Sequence, residues 1–422
     1  MSSNYRMFVG IDWATEAHQV CVIGLDSKVI EERVVKHTGV AIAQFLDWLT
    51  KLSGKEPNKA AVAIEVPRGA MVESLIERGF QVFAINPKQL DRFRDRHTVA
   101  GAKDDRLDAF VLADSLRTDE HCFRRARIDS PDIIQIRELS RVDDDLREEM
   151  NRLANRLREQ LLRYQPQALK LCPAADEPWF WSLLELAPTP QSAARLRANR
   201  VQRLLREHRI RRLKSEEVLA EMKAPPLRVA PGTVEAAGSH IALLLPRLRL
   251  VRAQRLDCAK RIEALLDKIG ATDDQDEERC EHRDVEILRS LPGVGKNVAA
   301  AMLAEASQPL EERDYHALRT LGGVAPITRR SGKRRVVVMR RACNARLRNA
   351  FYHWGRCALL WDKPSHDLYR DMRARGHRHG RALRTVVDRL LRILVAMMKS
   401  RTVYDVNLAT KSASRTNSEA VV

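Results

Sequence analysis

Four acidic residues, Asp12, Glu65, Asp105 and Asp108, stand where a metal-dependent phosphoryl-transfer site could be built. Asp12 and Glu65 each end a β-rich run. Asp105 and Asp108 are three positions apart in a helical pattern, so both carboxylates can project from one helical face. Strand ends in a mixed sheet can lie side by side, and a helix can lay its pair against them. Like charges so gathered are costly unless a hard cation neutralises them, and Mg2+ is the expected ion. Two such ions about 4 Å apart could hold a scissile phosphate and stabilise its attacking and leaving oxygens together. Taken singly, each acid has a plainer use: Asp104 or Asp105 as a helix cap, Asp12 at a turn, Glu65 on a rim.

Two segments nearer the C-terminus add to this. Leu291-Pro-Gly-Val-Gly-Lys-Asn-Val-Ala299 sets a Gly-rich turn before an apolar helix, Val298 to Ala304. Backbone N–H groups around Gly293, Gly295 and Lys296 could hold phosphate without reading sequence, as in the hairpin of helix-hairpin-helix modules, which the run resembles. The alternative is a tight turn between packed helices. The spacing is not that of a Walker loop. Further on, in Gly322-Gly-Val-Ala-Pro-Ile-Thr-Arg-Arg-Ser-Gly-Lys-Arg-Arg335, Ser331 sits among Arg329, Arg330, Lys333, Arg334 and Arg335. A serine attacking a phosphodiester needs positive charge around the developing oxygens, and these residues supply it. From the residues alone, a surface loop that touches phosphate, with Ser331 as an accessory donor, is the preferred reading.

The elements that must position these groups follow from periodicity. Strand-like runs at Met7 to Asp12, Gln19 to Leu25 and Val29 to Val35 predict a three-stranded antiparallel meander. A helix from Val40 to Leu52, a strand from Ala60 to Glu65, a helix from Arg68 to Arg78 and a strand from Phe80 to Ile85 follow. A helix from Asp105 to Arg117 closes a mixed α/β domain at 1–128. Beyond Pro131 strand signals stop. Leu139, Val142, Leu146, Met150, Leu153, Leu157, Leu161 and Tyr164 repeat over eleven residues, as in a long, nearly straight helix. Its partner is either the same chain's Ile241, Leu244, Leu248, Val251, Ile262 and Leu266, with Pro246 as a possible kink, or a second subunit. Residues 129–282 thus form a helical coiled-coil region, 283–402 a mainly α-helical domain carrying Ser331, and 403–422 a polar, disordered tail. Within the middle region lie eight arginines, Arg195, Arg197, Arg200, Arg203, Arg206, Arg209, Arg211 and Arg212. Basic residues on most faces of a helix favour phosphate contact over a merely solvated face.

Composition bounds the partners. A chain of 422 residues with a formal charge of +18 calls for a polyanion, with nucleic acid first and an acidic membrane surface second. Leu390 to Met398 is interrupted by Arg392 and too short to span a bilayer, so an amphipathic helix and no membrane partner are expected there. The N-terminal residues carry no secretory pattern, which places the protein in the cytoplasm. Seven scattered cysteines with no Cys-x-x-Cys pair read as reduced packing residues. His377 and His379 fall short of a zinc signature.

The joint placement of the acids matches the ribonuclease-H-like nuclease layout. Beyond that, the chain resembles the DEDD transposases of the insertion sequence 110 and 1111 group, related to Piv DNA invertases. The resemblance is carried by Gly10-Ile-Asp12, Ile64-Glu65, Asn86-Pro87, Lys103-Asp-Asp-Arg-Leu-Asp-Ala109, Leu291-Pro-Gly-Val-Gly295, Gly322-Gly-Val-Ala-Pro326 and Arg330-Ser-Gly332, in family order. It implies a RuvC-like (ribonuclease-H-like) N-terminal domain whose acidic tetrad is Asp12, Glu65, Asp105 and Asp108. It also implies that Ser331 is the nucleophile, linked transiently to DNA as phosphoserine. By the same resemblance the protein cleaves and exchanges strands of donor and target DNA, guided by a noncoding bridge RNA, as a homo-tetramer whose two centres combine across subunits. A metal-dependent Holliday-junction-type nuclease without a covalent serine intermediate is the alternative. The family commonly has Thr where this chain has Asp104, and its doubled serine is here Arg330-Ser331.

Overall fold

The computed structural model describes residues 4–65, 68–85, 87–97, 104–270, 281–332 and 334–405. Asn86, Lys103, Lys333 and the tail from 406 onward, all named above, lie outside the described residues, as does one of the seven cysteines, Cys280. The chain forms two compact units, Met1–Asp129 and Ser130–Val422.

In the first unit, strands β1 (Met7–Asp12), β2 (Ala17–Gly24) and β3 (Val29–Lys36) form the expected antiparallel meander. Helix α1 (Gly39–Leu52), β4 (Ala60–Ile64), α2 (Ala70–Glu77) and β5 (Gln81–Ala84) form the β-α-β that follows, with β4 parallel to both β1 and β5. Helices α3 (Pro87–Arg94) and α4 (Asp105–Thr118) precede a short edge strand, β6 (Arg124–Arg125), antiparallel to β5. The sheet order is β3-β2-β1-β4-β5-β6.

Period-two alternation splits β1 between two cores. Met7, Val9 and Ile11 pack on α1 and α2 through Ile42, Phe45, Leu49, Met71 and Leu75. Phe8 instead faces Ala109, Leu112, Ala113 and Leu116 of α4. Gly10 has the parity of Phe8 and sits under α4, where a Cβ would lie 1.8 Å from the Ala109 carbonyl oxygen. Only a glycine lets the helix approach this closely.

In the second unit, α5 (Pro131–Tyr164) has 34 residues and spans about 50 Å. Next come α6 (Pro178–Leu186), α7 (Pro190–Ala194), α8 (Ala198–Glu207), α9 (Ser215–Lys223) and the 38-residue α10 (Thr233–Gly270). The partner of α5 is α10 of the same chain. Ion pairs Asp132–Lys268, Asp143–Arg255 and Glu149–Arg247 fix the two as antiparallel. Helix α10 continues through Pro246. One end of this pair shares a core with α6–α9, and the other with α11 (Glu281–Ser290), α12 (Lys296–Glu311), α13 (Tyr315–Leu321), α14 (Ala345–Trp361), α15 (Lys363–Ala374) and α16 (His379–Ser400). Leu390, Leu391, Leu394 and Val395 of α16 are buried there, and no helix among the described residues is long and apolar enough to cross a membrane.

Two expectations need correction. Strand signals do not stop at Pro131: β7 (Ile327–Ser331) and β8 (Arg334–Val338) form a hairpin. Arginines occupy positions where apolar alternation would announce a strand, so periodicity misses it. Nor do the clustered arginines cover most faces of a helix. Only Arg200, Arg203 and Arg206 lie within α8, where Val201, Leu204 and Leu205 bury one side and leave those three on the solvent side. The described cysteines are free, and burial pushes the Cys21 thiol up to about 12, in keeping with a packing role.

Candidate active site

Asp12 shares the parity of Phe8 and Gly10, so its carboxylate comes out on the α4 side of the sheet at the end of β1. Helix α4 begins at that end. Asp104 is its N-cap and accepts a hydrogen bond from the Arg106 N–H at 3.0 Å, while Asp105 and Asp108 lie in its first turn. There the orphan N–H groups and the dipole favour negative charge. As a result, carboxylate oxygens of Asp12, Asp105 and Asp108 all come within 4.8 Å of one another. Asp105 is exposed, Asp12 half-buried and Asp108 buried, so the group opens to solvent on one side. An all-oxygen donor set of this size suits a hard divalent cation.

Glu65 follows Ile64, which pairs with Ile11, so its backbone runs beside that of Asp12. Its carboxylate is half-buried and not among the three that converge. Asp104 is engaged as a cap. Thr, the residue common at this position in the resembled family, caps helices by the same hydrogen bond.

Sequence reasoning missed Arg94, at the end of α3. Its Nε donates to the Asp108 carboxylate at 2.6 Å and its Nη1 reaches Asp91 at 3.2 Å. Partial burial works against the charge on Arg94, but the hydrogen bond and charge of Asp108, with Asp91 and Asp12, outweigh it and raise its pKa. The available signal was Pro87 opening a short run with Leu90 and Phe93 at helical spacing.

Two other groups of potential ligands come equally close, Asp119 with His121 and Cys122, and Cys172 with Asp176 and Glu177. In the second, Glu177 already accepts from Arg212 at 2.7 Å and from Trp179 at 2.8 Å.

Ser331 lies in the second unit, at the tip of the β7–β8 hairpin, where Gly332 turns with φ of +52°. It is exposed, and Arg329, two residues back, shares its face of the strand. On the opposite face Arg330 pairs directly across from Arg335, both exposed. Like charges in register destabilise a hairpin unless an anion sits between or beside them. Of the remaining basic residues expected to contact nucleic acid here, Lys333 lies outside the described residues, as does the side chain of Arg334.

The Gly-rich turn is divided in its use. Gly293 has φ of +81° and lies against α14, where a Cβ would stand 2.5 Å from the Ala358 nitrogen. It is needed for packing. Gly295 caps α12 with open space around it, and Lys296 pairs with Glu263 at 3.0 Å.

Two family models match the chain. Residues 9–166 match a family model described as a transposase, that of the IS110-type DEDD transposases. Residues 285–370 match a second, described as the transposase of the IS116/IS110/IS902 family. Among curated relatives, the chain is 50% identical over 213 residues to "Putative transposase y4uE" of Sinorhizobium fredii, covering 50% of this chain and 59% of that protein. It is 32% identical over 407 residues to "Mini-circle putative transposase for IS117" of Streptomyces coelicolor, covering 94% and 95%. An uncharacterized 44.8 kDa protein of insertion element IS116, from Streptomyces clavuligerus, is 26% identical over 412 residues, covering 94% and 96%.

Proposed function

The chain belongs to the IS110 family of transposases, and from that premise we propose that it cuts and rejoins DNA strands with two sets of groups, a carboxylate metal site and the Ser331 hydroxyl. The convergence of Asp12, Asp105 and Asp108 within 4.8 Å carries this reading. We take the sheet order, with three antiparallel strands and two parallel ones beside β1, as support for a RuvC-like domain. Asp12, Asp105 and Asp108 hold Mg2+, with Glu65 recruited from the adjoining strand end. The bound ion supplies positive charge for the phosphate oxygens in the transition state.

Ser331 Oγ forms a bond to phosphorus as the bond from phosphorus to one sugar oxygen breaks, and that oxygen leaves with a proton. Attack by a second sugar hydroxyl reverses the step and joins new strands. Arg329, Arg330 and Arg335 neutralise the phosphate oxygens meanwhile. Gly295 and Lys296, with the outward arginines of α8, grip backbone phosphates without reading bases. By family likeness, the choice of donor and target DNA falls to a noncoding bridge RNA, and the working form is a dimer of dimers.

Trapping the covalent adduct tests the serine. Denaturing gels of labelled DNA incubated with the full chain and Mg2+ should show a protein-linked band, lost in Ser331→Ala together with strand transfer. If Ser331→Ala still cleaves at the wild-type rate, the junction-nuclease alternative holds instead.

A further inference from the structure

The three converging carboxylates meet a cation in this chain already, the Arg94 guanidinium. Its Nε lies 2.6 Å from Oδ1 of Asp108, the most buried of the three, and the charge of Asp12 reaches it as well. It comes from α3, a different element from those that carry the acids. Three carboxylates beside one guanidinium leave two negative charges, so the pair lowers repulsion within the cluster without abolishing its pull on a divalent ion.

A divalent ion seated among these oxygens would stand a few ångströms from the guanidinium, in a setting where Asp108 is only 4% exposed. Like charges so close, and so poorly screened, oppose each other strongly. Arg94 itself is 24% exposed, so its side chain can swing outward without opening the core. A planar guanidinium is well suited to a phosphate.

Resting on the metal-site reading above, we propose that Arg94 is a resident counter-ion that competes with divalent metal for the carboxylates and transfers to a DNA backbone phosphate when substrate arrives. Metal loading and DNA binding then favour each other through this one side chain. The coupling is reciprocal, as any linkage between two ligands must be. Without DNA, the carboxylates are partly neutralised and metal binds more weakly. With DNA, the guanidinium has a better partner and the carboxylates are released to the ion.

Mn2+ titration of the full chain, followed by the electron paramagnetic resonance of free Mn2+, tests this with and without a short DNA duplex. Wild type should bind Mn2+ more tightly when DNA is present. Arg94→Gln should bind it at least about tenfold more tightly than wild type in the absence of DNA, and gain little when DNA is added. Arg94→Lys, which keeps the charge but not the fork, should fall between them and guards against loss of folding in the first variant. Equal or weaker Mn2+ binding by both variants without DNA overturns the proposal. Asp12→Asn and Asp108→Asn separate this failure from that of its premise: if neither weakens Mn2+ binding, the metal site is wrong and the proposal falls with it.

Discussion

Asp104 and Asp105 are neighbours in different settings: Asp104 caps α4 from outside its first turn, and Asp105 lies within that turn. Asp104→Thr should leave the melting curve of the chain nearly unchanged, while Asp104→Ala should cost about 1 kcal/mol, the usual loss on removing a cap. Neither should alter Mn2+ affinity, whereas Asp105→Asn should lower it. Asp114, further along α4, carries a separate pH signature. Burial raises its pKa, but hydrogen bonds from Ser27 and Arg117, with the charges of Arg117 and His97, more than offset this and lower it overall. Its carboxylate therefore contributes stability above the ordinary carboxylate range near pH 4, and that contribution fades as pH falls through the depressed folded value. Urea denaturation should find Asp114→Asn less stable than wild type at pH 7, with the gap closing toward pH 3. A constant gap across that range would contradict the assignment.

The contact of β1 with α4 builds the carboxylate group, and Gly10 sets its closeness. Gly10→Ala places a methyl group 1.8 Å from the Ala109 carbonyl, against backbone that has no side chain to turn aside. Overpacking of this kind should cost more than about 3 kcal/mol, visible as a lower melting temperature, and should abolish Mn2+ binding by lifting Asp105 and Asp108 off Asp12. The hairpin of β7 and β8 obeys different physics. Arg330 opposite Arg335 makes it an element that an anion stabilises, so its amide protons should exchange more slowly once DNA is bound.

For the whole molecule, charge decides how tightly DNA is held and packing decides where the charge points. The buried side of α8 turns Arg200 and Arg206 to solvent, and Arg197, its N-cap, is exposed too; none of the three has an acidic partner among the described residues, while Arg203 is paired with Glu207 and Arg212 with Glu177. If the unpaired three meet phosphates, replacing all of them with Gln should lower the slope of log affinity against log salt by about 2 to 3. An unchanged slope would show that this face is only solvated. The long helices contribute differently. Each covers most of the apolar stripe of the other within one chain, although Val142 of α5 stays 45% exposed.

Much of this protein was legible from residues alone, wherever the controlling interaction was local or periodic. Alternating β-branched runs announced the meander and the β-α-β. The three-residue spacing of Asp105 and Asp108 put both on one helical face, and the eleven-residue period marked α5. The partner of α5, the cation beside Asp108, the role of Gly10 under α4 and the hairpin beneath Ser331 depended on approaches between segments far apart in the chain. An arginine can cap, solvate, hold phosphate or neutralise a carboxylate, and its one-dimensional neighbours do not distinguish these. Only the folded backbone decides which charge Arg94 meets, because that depends on distances of a few ångströms between α3 and α4 that no spacing along the chain encodes.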